Sequence, residues 1–424
     1  MTQQIRIDDL ANPQLSETQA AGIAYMEANP VEITVESVLA AARERTDLSD
    51  FGAPDFGGGD FRVRLGRLVD EWNDDRELRQ LNRVILRDMV VRHASNRLVA
   101  QEYRRQHPDY AHERIERPII VVGLPRSGTT HLLNLLGSDS RLRSLPLWEV
   151  NEPLPNPAEP PREDGRDPRY VRAAEQWDMA QASSPLTSAM HPMEPDHFHE
   201  DLELMGPDFA SYNYEWMSRV PRWRDASYAE DQTPHYLYQK DMLQIMQHAA
   251  GDTGPKRWVN KCPQHLEQLR VLKAVYPDAT VVITYRDPVD AIQSAATMMG
   301  YAERMRYPRI DTKGLVDYWS DRVDHLLRAC VADRDVWPEE QRVDVPFEPF
   351  MADPMHFVRA VHAKAGMETT AQSVAEMEHF VATHPRGKFG QVVYDLEGDF
   401  GVSRETLRER FGYYFDAFPA VMRA

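Results

Sequence analysis

A loop rich in glycine and hydroxyl residues occupies residues 123–130. It has the sequence Gly123-Leu-Pro-Arg126-Ser-Gly128-Thr129-Thr130 and lies between an apolar run and a helical pattern. Successive backbone N–H groups and the positive end of a helix dipole make such a turn a site for phosphate oxygens. The glycines have the Gly-x-x-x-x-Gly spacing of a P-loop, but Thr129 stands where nucleotide triphosphatases have a lysine. Arg126 is the only cation in the loop, and we predict an anionic ligand.

A second pair of polar residues follows another apolar run. Arg286 comes directly after residues 279–285, and Ser294 lies two turns into the helix predicted to follow. An arginine at the carboxyl end of a strand can make a bidentate contact to phosphate, and a serine hydroxyl can donate to the same group. Each residue alone has an ordinary explanation, a salt bridge with Asp287 or an inert helix position. Together with the loop, they predict a second anion contact.

The elements that must position these residues alternate between strand and helix. Short apolar runs at residues 118–122, 258–260, 279–285 and 343–347 predict strands, and helical patterns over residues 129–136, 266–275 and 291–299 follow the first three. Such alternation is typical of a parallel, doubly wound sheet. We therefore predict an α/β fold with a P-loop-like parallel sheet of about four or five strands flanked by helices. The ligand should lie across the carboxyl ends of the strands.

The first part of the chain has a different pattern. Residues 33–45, 61–72 and 76–105 carry apolar positions three and four apart among many charged residues, which predicts helices. We predict a helical region over residues 1–115, packed on an α/β domain over residues 116–424. Residues 153–195 are rich in proline, and we predict an ordered loop with short helices that arches over the sheet.

Charge and composition disfavour several classes of protein. Lys plus Arg (49) against Asp plus Glu (67) give a net charge of −18, which disfavours nucleic acid and anionic membranes as partners. Two cysteines, Cys262 and Cys330, are too few for a disulfide framework, and neither has the neighbours of a zinc site. The first residues lack a signal-peptide pattern and no apolar run is long enough to span a bilayer, so a soluble, cytoplasmic protein is expected.

Two motifs together resemble those of a known family. Residues Pro125-Arg-Ser-Gly-Thr-Thr130 resemble the 5′-phosphosulfate-binding loop of sulfotransferases, and Tyr285-Arg-Asp-Pro-x-x-Ala-x-x-Ser294 resembles their 3′-phosphate-binding segment. The resemblance is closest to bacterial sulfotransferases with an N-terminal helical extension. Weaker similarity continues through Trp148-Glu149, Lys261-Cys-Pro263, Val345-x-Phe347-Glu348 and the tail over residues 394–401.

The resemblance implies a donor and the residues that bind it. The donor would be 3′-phosphoadenosine-5′-phosphosulfate (PAPS), used without a metal ion. A late loop, His384-Pro-Arg386-Gly387-Lys388, is loosely similar to the Arg/Lys-Gly loop that closes over the 3′-phosphate in this family, although a solvated turn is nearly as good an explanation. The implied donor-binding residues are Arg126, Ser127, Gly128, Thr129 and Thr130 for the phosphosulfate, and Arg286, Ser294, Arg386, Gly387 and Lys388 for the 3′-phosphate.

Lys261 is the implied catalytic lysine. The segment Asn260-Lys-Cys-Pro263 resembles the Asn-Lys-x-Pro segment of tyrosylprotein sulfotransferases, whose lysine steadies the transferring sulfuryl group. Sulfuryl transfer, like phosphoryl transfer, depends mainly on positioning and charge stabilisation, and we predict that Lys261 and Arg126 supply the positive charge. The alternative is an ordinary surface lysine.

The acceptor hydroxyl needs a base that works near neutral pH. Glu149 is the first candidate, because tyrosylprotein sulfotransferases place a glutamate in a similar segment. His191 is the second, because cytosolic sulfotransferases use a histidine in roughly that region. His191 begins a cluster of histidines and carboxylates that also includes Glu194, His197, His199, Glu200 and Asp201. Its spacing matches no recognised ligand set, so we expect no metal.

The predicted activity is transfer of a sulfuryl group from PAPS to the hydroxyl of a small acceptor, such as a phenol, an alcohol or a lipid-like molecule. A P-loop kinase or nucleotide triphosphatase is less favoured, because the loop lacks the lysine and no strand ends in the apolar-Asp pattern of a magnesium partner. A non-catalytic nucleotide-binding module is the third possibility. The sequence indicates neither the acceptor nor the oligomeric state.

Overall fold

The structure, a computed structural model, describes residues 3–52, 58–251, 254, 257–385 and 387–422. Within these residues there are seven strands, five of which form the central sheet. The strands are β1 (Gln4–Arg6), β2 (Ile119–Gly123), β3 (Leu142–Arg143), β4 (Arg257–Lys261), β5 (Thr280–Tyr285), β6 (Arg342–Pro346) and β7 (Gln391–Val393). The central sheet is parallel throughout, with the order β3-β4-β2-β5-β6. The predicted α/β fold is confirmed, and β3 is too short to leave a sequence pattern.

The strand order determines which loops become neighbours. The chain enters the sheet at β2, moves to the edge at β3, returns to β4, and then crosses β2 to reach β5. Strand β2 therefore lies between β4 and β5, with Val121 opposite both Lys261 and Val282. Because the strands are parallel, the segments that follow β2, β4 and β5 all leave from one edge of the sheet. The loop and Arg286 lie in these segments, and Lys261 is the last residue of β4.

Helices cover both faces of the sheet, and four more form a layer near the N terminus. The layer consists of α1 (Glu17–Ala28), α2 (Val35–Thr46), α3 (Phe61–Asp74) and α4 (Gln80–Gln106). The helices up to the end of β5 are α5 (Thr129–Gly137), α6 (Leu147–Asn151), α7 (Pro168–Ser183), α8 (Thr187–Met190), α9 (Asn213–Met217), α10 (Pro221–Ala229), α11 (Thr233–Ala250) and α12 (Leu269–Val275). Those that follow are α13 (Pro288–Arg306), α14 (Thr312–Asp333), α15 (Phe347–Ala352), α16 (Pro354–Lys364), α17 (Ala371–Thr383), α18 (Leu396–Phe400), α19 (Arg404–Arg410), α20 (Gly412–Ala417) and α21 (Pro419–Met422).

Short 3-10 helices connect several of these elements, at Pro108–His112, Asp201–Asp208, Pro263–Glu267, Arg334–Val336 and Glu339–Gln341. The one at Pro263–Glu267 precedes α12, so the helix predicted over residues 266–275 is in fact two elements. Helix α13 is longer than predicted and continues to Arg306. Among the described helices, none is both long and apolar enough to cross a membrane.

The N-terminal layer confirms the three helices predicted there. Thr34 and Ser37 form a capping box at the start of α2, and Asp60 caps α3 by accepting a hydrogen bond from the Arg62 N–H. The apolar faces of these helices form a cluster that also contains Phe209 and Tyr307 from the rest of the chain. Since residues from both sides share this cluster, the layer packs on the α/β part. The division at residue 115 stays a prediction.

Residues 4–6 form a strand where the sequence analysis predicted only helices. Strand β1 pairs in parallel with β7, with Ile5 opposite Val392. Arg6 donates to Asp399 (3.0 Å), and Asp9 accepts from Arg304 of α13 (2.8 Å). A strand of three residues has no measurable alternation, and its partner lies near the other end of the chain, so no local pattern could predict it.

The proline-rich stretch is more helical than predicted. It contains α7, a helix of 16 residues, whose N-cap Asp167 accepts from the Arg169 N–H. Pro168 occupies the first helical position, where its missing N–H costs nothing because that group has no partner within a helix. Prolines in this stretch therefore begin a helix instead of preventing one.

Candidate active site

The loop after β2 is fitted tightly against its neighbours. A Cβ atom on Gly123 would lie 1.9 Å from Thr284 Oγ1 on β5, so only glycine is tolerated there. Gly128 has a left-handed backbone (φ 84), and so does Arg126 (φ 67). A non-glycine residue in this region is uncommon and persists where its surroundings fix it. Arg126 is fixed in this way, because its Nη1 donates to the Met190 carbonyl (2.6 Å).

The Ser127 hydroxyl braces the loop. It is fully buried, donates to the Leu124 carbonyl (2.6 Å) and lies 2.6 Å from Thr284 Oγ1. Its side chain is thus committed to the protein, and a ligand contact of Ser127 would have to come from its backbone. Helix α5 begins at Thr129, which is also buried. The first turn of an α-helix leaves N–H groups without intrahelical partners, and these face the mouth of the loop.

Arg286 lies beside the loop with an unsatisfied donor. One of its Nη atoms donates to the carbonyl of Arg126, and its guanidinium lies 4.3 Å from the centre of the Phe347 ring. Its Nε is buried and has no hydrogen-bond partner in the described structure. Burial lowers the pKa of the Arg286 guanidinium; the Asp290 carboxylate opposes this shift and the charge of Arg126 adds to it. A bound anion would satisfy the donor and relieve the repulsion.

The alternative explanation of Arg286, a salt bridge with Asp287, is not found among the described residues. Asp287 instead caps α13, accepting from the Val289 N–H (2.9 Å), and pairs with Arg408 (2.6 Å). Asp287 therefore has a structural role, and it does not neutralise the charge of Arg286.

Ser294 joins the loop to α13 and to the end of the chain. Its Oγ accepts from Arg126 Nε (3.0 Å) and donates to the Tyr394 hydroxyl (3.0 Å). The residue is 2% exposed. The structure therefore brings Arg126, Arg286 and Ser294 together, as the sequence predicted, and adds Tyr394, which the sequence analysis had only in its weakly similar tail.

Lys261 is buried at the end of β4, so the surface-lysine alternative is wrong. The residue is 1% exposed, and its Nζ donates to Thr130 Oγ1 (3.2 Å) and contacts Glu200 Oε1. The cation thus reaches the loop from the side opposite to Arg286. The pairing with Glu200 has no signal in the sequence, because the two residues are 61 positions apart and Glu200 lies in an irregular segment.

The histidine cluster lies near the same cations. The rings of His191 and His199 are 5.4 Å apart. Burial, with the charges of Lys261 and Arg126, lowers the pKa of His191 to about 4. Burial and the neighbouring His191 and Lys261 lower the pKa of His197 to about 4 and that of His199 well below its ordinary value. All three histidines are therefore neutral at neutral pH.

Glu149 lies in a different place. Its carboxylate accepts from Arg143 Nη2 (2.9 Å), and the Arg143 guanidinium lies 4.3 Å from the Trp258 ring. Arg143 is in register with Trp258, three residues before Lys261 along β4, which is a distance of roughly 10 Å at about 3.3 Å per residue. The structure does not bring Glu149 into contact with Lys261 or with the loop.

The late loop covers one side of the site. Arg386 is outside the described residues. Gly387 and Lys388 line a cavity of about 210 Å³ together with Thr130 and His197, and Lys388 pairs with Glu194 (3.1 Å). This loop therefore faces the Thr130 side of the site, and Tyr394, six residues after Lys388, is the part of the same segment that reaches Ser294.

A group of potential metal ligands lies behind Lys261. One ligand atom each from Asp201, Cys262 and His265 falls within 4.8 Å of the others, a proximity that the sequence spacing does not reveal. The His265 imidazole lies 2.9 Å from the Tyr236 hydroxyl and 3.1 Å from the Asp201 carboxylate. Gln239 also donates to Asp201 (2.7 Å). Burial raises the pKa of the Cys262 thiol. The group is thus explained as a buried hydrogen-bonded network next to a protonated thiol.

Comparison with known proteins identifies the family. The model of the sulfotransferase family matches residues 118–371. This chain belongs to the sulfotransferase family. The match begins at β2 and includes the loop, Lys261, Arg286 and Ser294. No curated protein sequence matches the chain significantly.

Two solved structures resemble most of this sulfotransferase chain. The sulfotransferase STF1 from Mycobacterium tuberculosis H37Rv is 28% identical, with a TM-score of 0.77 over 90% of this chain and 99% of its own. The sulfotransferase STF9 from Mycobacterium avium is 26% identical, with a TM-score of 0.78 over 91% of this chain and 96% of its own. The likeness thus extends beyond residues 118–371 and includes part of the N-terminal helical layer.

Proposed function

We propose that this sulfotransferase takes a sulfuryl group from PAPS and transfers it to the hydroxyl of a small acceptor. One observation supports this most directly: Arg126, Arg286 and Ser294 meet at the carboxyl ends of β2 and β5, and Arg286 Nε is buried there without a partner. A buried donor of a charged group is costly unless it is satisfied, and a phosphate is the kind of ligand that satisfies an arginine at such a position.

The two anionic ends of PAPS match two separate sets of groups. Arg286 and Ser294 would hold the 3′-phosphate, with Tyr394 as an additional hydroxyl in the network. The N-terminal turn of α5, from Gly128 to Thr130, would hold the 5′-phosphosulfate through its backbone N–H groups. Because the protein has a net charge of −18, these local N–H groups and cations would be needed to attract the anionic PAPS.

Lys261 is proposed to stabilise the transferring group. Its Nζ is already beside Thr130 in the loop, so it needs little movement to reach a sulfuryl oxygen. Preorganised positive charge in a buried site stabilises charge that develops in a transition state more than it would in water. Arg126 would act from the opposite side of the loop. This assignment of charge stabilisation requires no metal ion.

The acceptor would enter through the cavity beside Thr130. Phe380 and Phe389 give this cavity apolar walls, and His197 adds a polar group. Such a mixture suits a phenol, an alcohol or a lipid-like molecule with a single reactive hydroxyl. Glu149 and His191 stay the bases predicted from the sequence.

A transfer assay with ³⁵S-labelled PAPS and a panel of phenols and alcohols tests the proposal. We expect labelled product from PAPS and none of the nucleotide hydrolysis or phosphoryl transfer that ATP with magnesium would give in a kinase or triphosphatase. Family membership gives no support to those alternatives. Turnover of ATP without any use of PAPS would refute the proposal, and tight nucleotide binding without any turnover would indicate a binding module.

A further inference from the structure

Glu200 is the carboxylate that contacts the proposed catalytic lysine. In the described part of the chain, it is the acid within salt-bridge distance of Lys261, and its side chain is 13% exposed against 1% for the lysine. We propose that Glu200 is the general base that takes the proton from the acceptor hydroxyl. This inference rests on the proposed sulfuryl transfer.

The other acids and bases of the region are less suitable. Glu149 is held by Arg143 of β3, whose register partner on β4, Trp258, lies three residues before Lys261. His191 Nδ1 lies 3.3 Å from the adjacent Pro192 carbonyl, and its ring packs edge-on against that of His199. Glu194 pairs with Lys388 of the late loop. Of Glu149, His191, Glu194 and Glu200, Glu200 is the one that contacts Lys261, whose ammonium also donates to Thr130 of the loop.

Glu200 is attached to a rigid part of the fold. It directly precedes the 3-10 helix Asp201–Asp208, and Asp201 is 1% exposed and hydrogen-bonded to Gln239 and His265. Lys261 is likewise followed by the fully buried Cys262. Both backbones are therefore anchored directly beside the reacting side chains, which is what precise positioning of a base requires.

In the Lys261–Glu200 pair, the lysine can contact the sulfuryl group while the glutamate contacts the acceptor hydroxyl. With a sulfuryl group bound, Lys261 gains a second anion to contact, and the Glu200 carboxylate is released to accept from the acceptor O–H. The acceptor oxygen then forms a bond to sulfur while its proton moves to Glu200. The bond between sulfur and the bridging oxygen breaks, and its electron pair stays on the 5′-phosphate of the departing adenosine 3′,5′-bisphosphate. No other reactant is needed.

The test compares acceptors of different acidity in Glu200→Gln. The variant keeps the size of the side chain and removes the base. We expect kcat with an alkyl alcohol to fall by roughly 10²- to 10⁴-fold, the usual value of general-base catalysis. The loss with a nitrophenol should be much smaller, because an acidic phenol gives up its proton without help. Affinity for adenosine 3′,5′-bisphosphate, measured by calorimetry, should not change.

Two further variants make the result specific. Glu230→Gln removes a glutamate that pairs with Arg67 in the N-terminal layer, and we expect wild-type rates with both acceptors. Glu200→Asp keeps the carboxylate but shortens its reach, so it should fold even if Glu200→Gln does not, and should lose rate selectively with the alkyl alcohol. Thermal unfolding of each variant verifies that it is folded.

Three results would overturn the inference. Equal losses with both acceptors, or a loss of bisphosphate affinity, would mean that Glu200 only positions Lys261. A selective loss in Glu149→Gln, with none in Glu200→Gln, would transfer the role to Glu149. Failure of the proposed function looks different, because the wild-type protein would then transfer nothing from PAPS to any acceptor.

Discussion

Arg126 and Ser294 are 168 residues apart in the chain and are joined by a hydrogen bond of 3.0 Å from Nε to Oγ. The bond connects the loop after β2 to the helix after β5. Arg286 donates to the Arg126 carbonyl, so the three residues form one network across the edge of the sheet. All three can donate to phosphate oxygens, and the contribution of each can be tested separately.

Arg286→Ala should weaken binding of adenosine 3′,5′-bisphosphate by about 10- to 100-fold, the value of a hydrogen bond to a charged group. Binding of 5′-AMP should change much less, because it lacks the 3′-phosphate. Calorimetric titration with both nucleotides measures the difference. Arg408→Ala is the matched control, since Arg408 pairs with the neighbouring Asp287. Equal losses for both nucleotides would refute the assignment of Arg286 to the 3′-phosphate.

Lys261→Ala should lower kcat by on the order of 10²-fold, as the loss of one preorganised donor does in other enzymes, with little change in KM for PAPS. The substitution also leaves Glu200 without its partner, so thermal unfolding should be measured together with the rate. Lys364→Ala, at an exposed lysine that donates to the Glu339 carbonyl, serves as the control. A raised KM with an unchanged kcat would instead give Lys261 a binding role.

The protein should lose stability as the pH falls from about 6.5 towards 4. The unfolded chain binds protons on His191 and His197 near their ordinary value of 6.5, whereas in the folded protein their pKa values are about 4. The unfolded state therefore binds more protons in this window, so its free energy falls relative to that of the folded state as the pH falls, and the free energy of unfolding decreases.

Unfolding temperatures at pH 7 and pH 5 measure this pH dependence. In the double variant His191→Asn and His197→Asn, the difference between the two temperatures should be smaller than in the wild type. His356→Asn, at an exposed histidine, should leave the difference unchanged. A wild-type protein that is equally stable at both pH values would contradict the prediction.

Ile5→Pro should raise KM for PAPS while changing the unfolding temperature little. Proline cannot donate to a strand ladder, so the β1–β7 pairing should be lost. Strand β7 directly precedes Tyr394 and follows the late loop, and its release should loosen both against the donor site. Ile5→Val, which keeps the pairing, is the control. Steady-state rates at varied PAPS concentration are the measurement, and an unchanged KM would show that β1 does not support the site.

The core of the fold was predictable from the sequence, because its elements have strong local patterns. Strands β2 and β5 are continuous apolar runs, buried on both faces, and each is followed by a turn and an amphipathic helix. The positions of the loop, Lys261 and Arg286 followed from these elements, since parallel strands bring their carboxyl ends to one edge.

The contacts that the sequence did not predict join residues that are far apart in the chain. The β1–β7 pairing and the Lys261–Glu200 pair have no periodic signal. Glu149 was chosen because tyrosylprotein sulfotransferases place a glutamate in a similar segment, whereas the structure pairs its carboxylate with Arg143. A motif therefore predicted which cations and hydroxyl groups meet beside the loop, but the choice among several acids depended on the directions of their side chains.

Phe347 closes one side of the approach to Arg286. Its ring lies 4.3 Å from the guanidinium, and the same ring would be 3.2 Å from a Cβ on Gly128. One aromatic side chain thus keeps water from one face of the cation and leaves no space behind the loop. With that face covered, the edge of the guanidinium, where the N–H groups point, is the side on which an anion can accept hydrogen bonds. The ring therefore favours an anion that lies in the plane of the guanidinium and accepts two hydrogen bonds from it over an anion that is placed above the covered face.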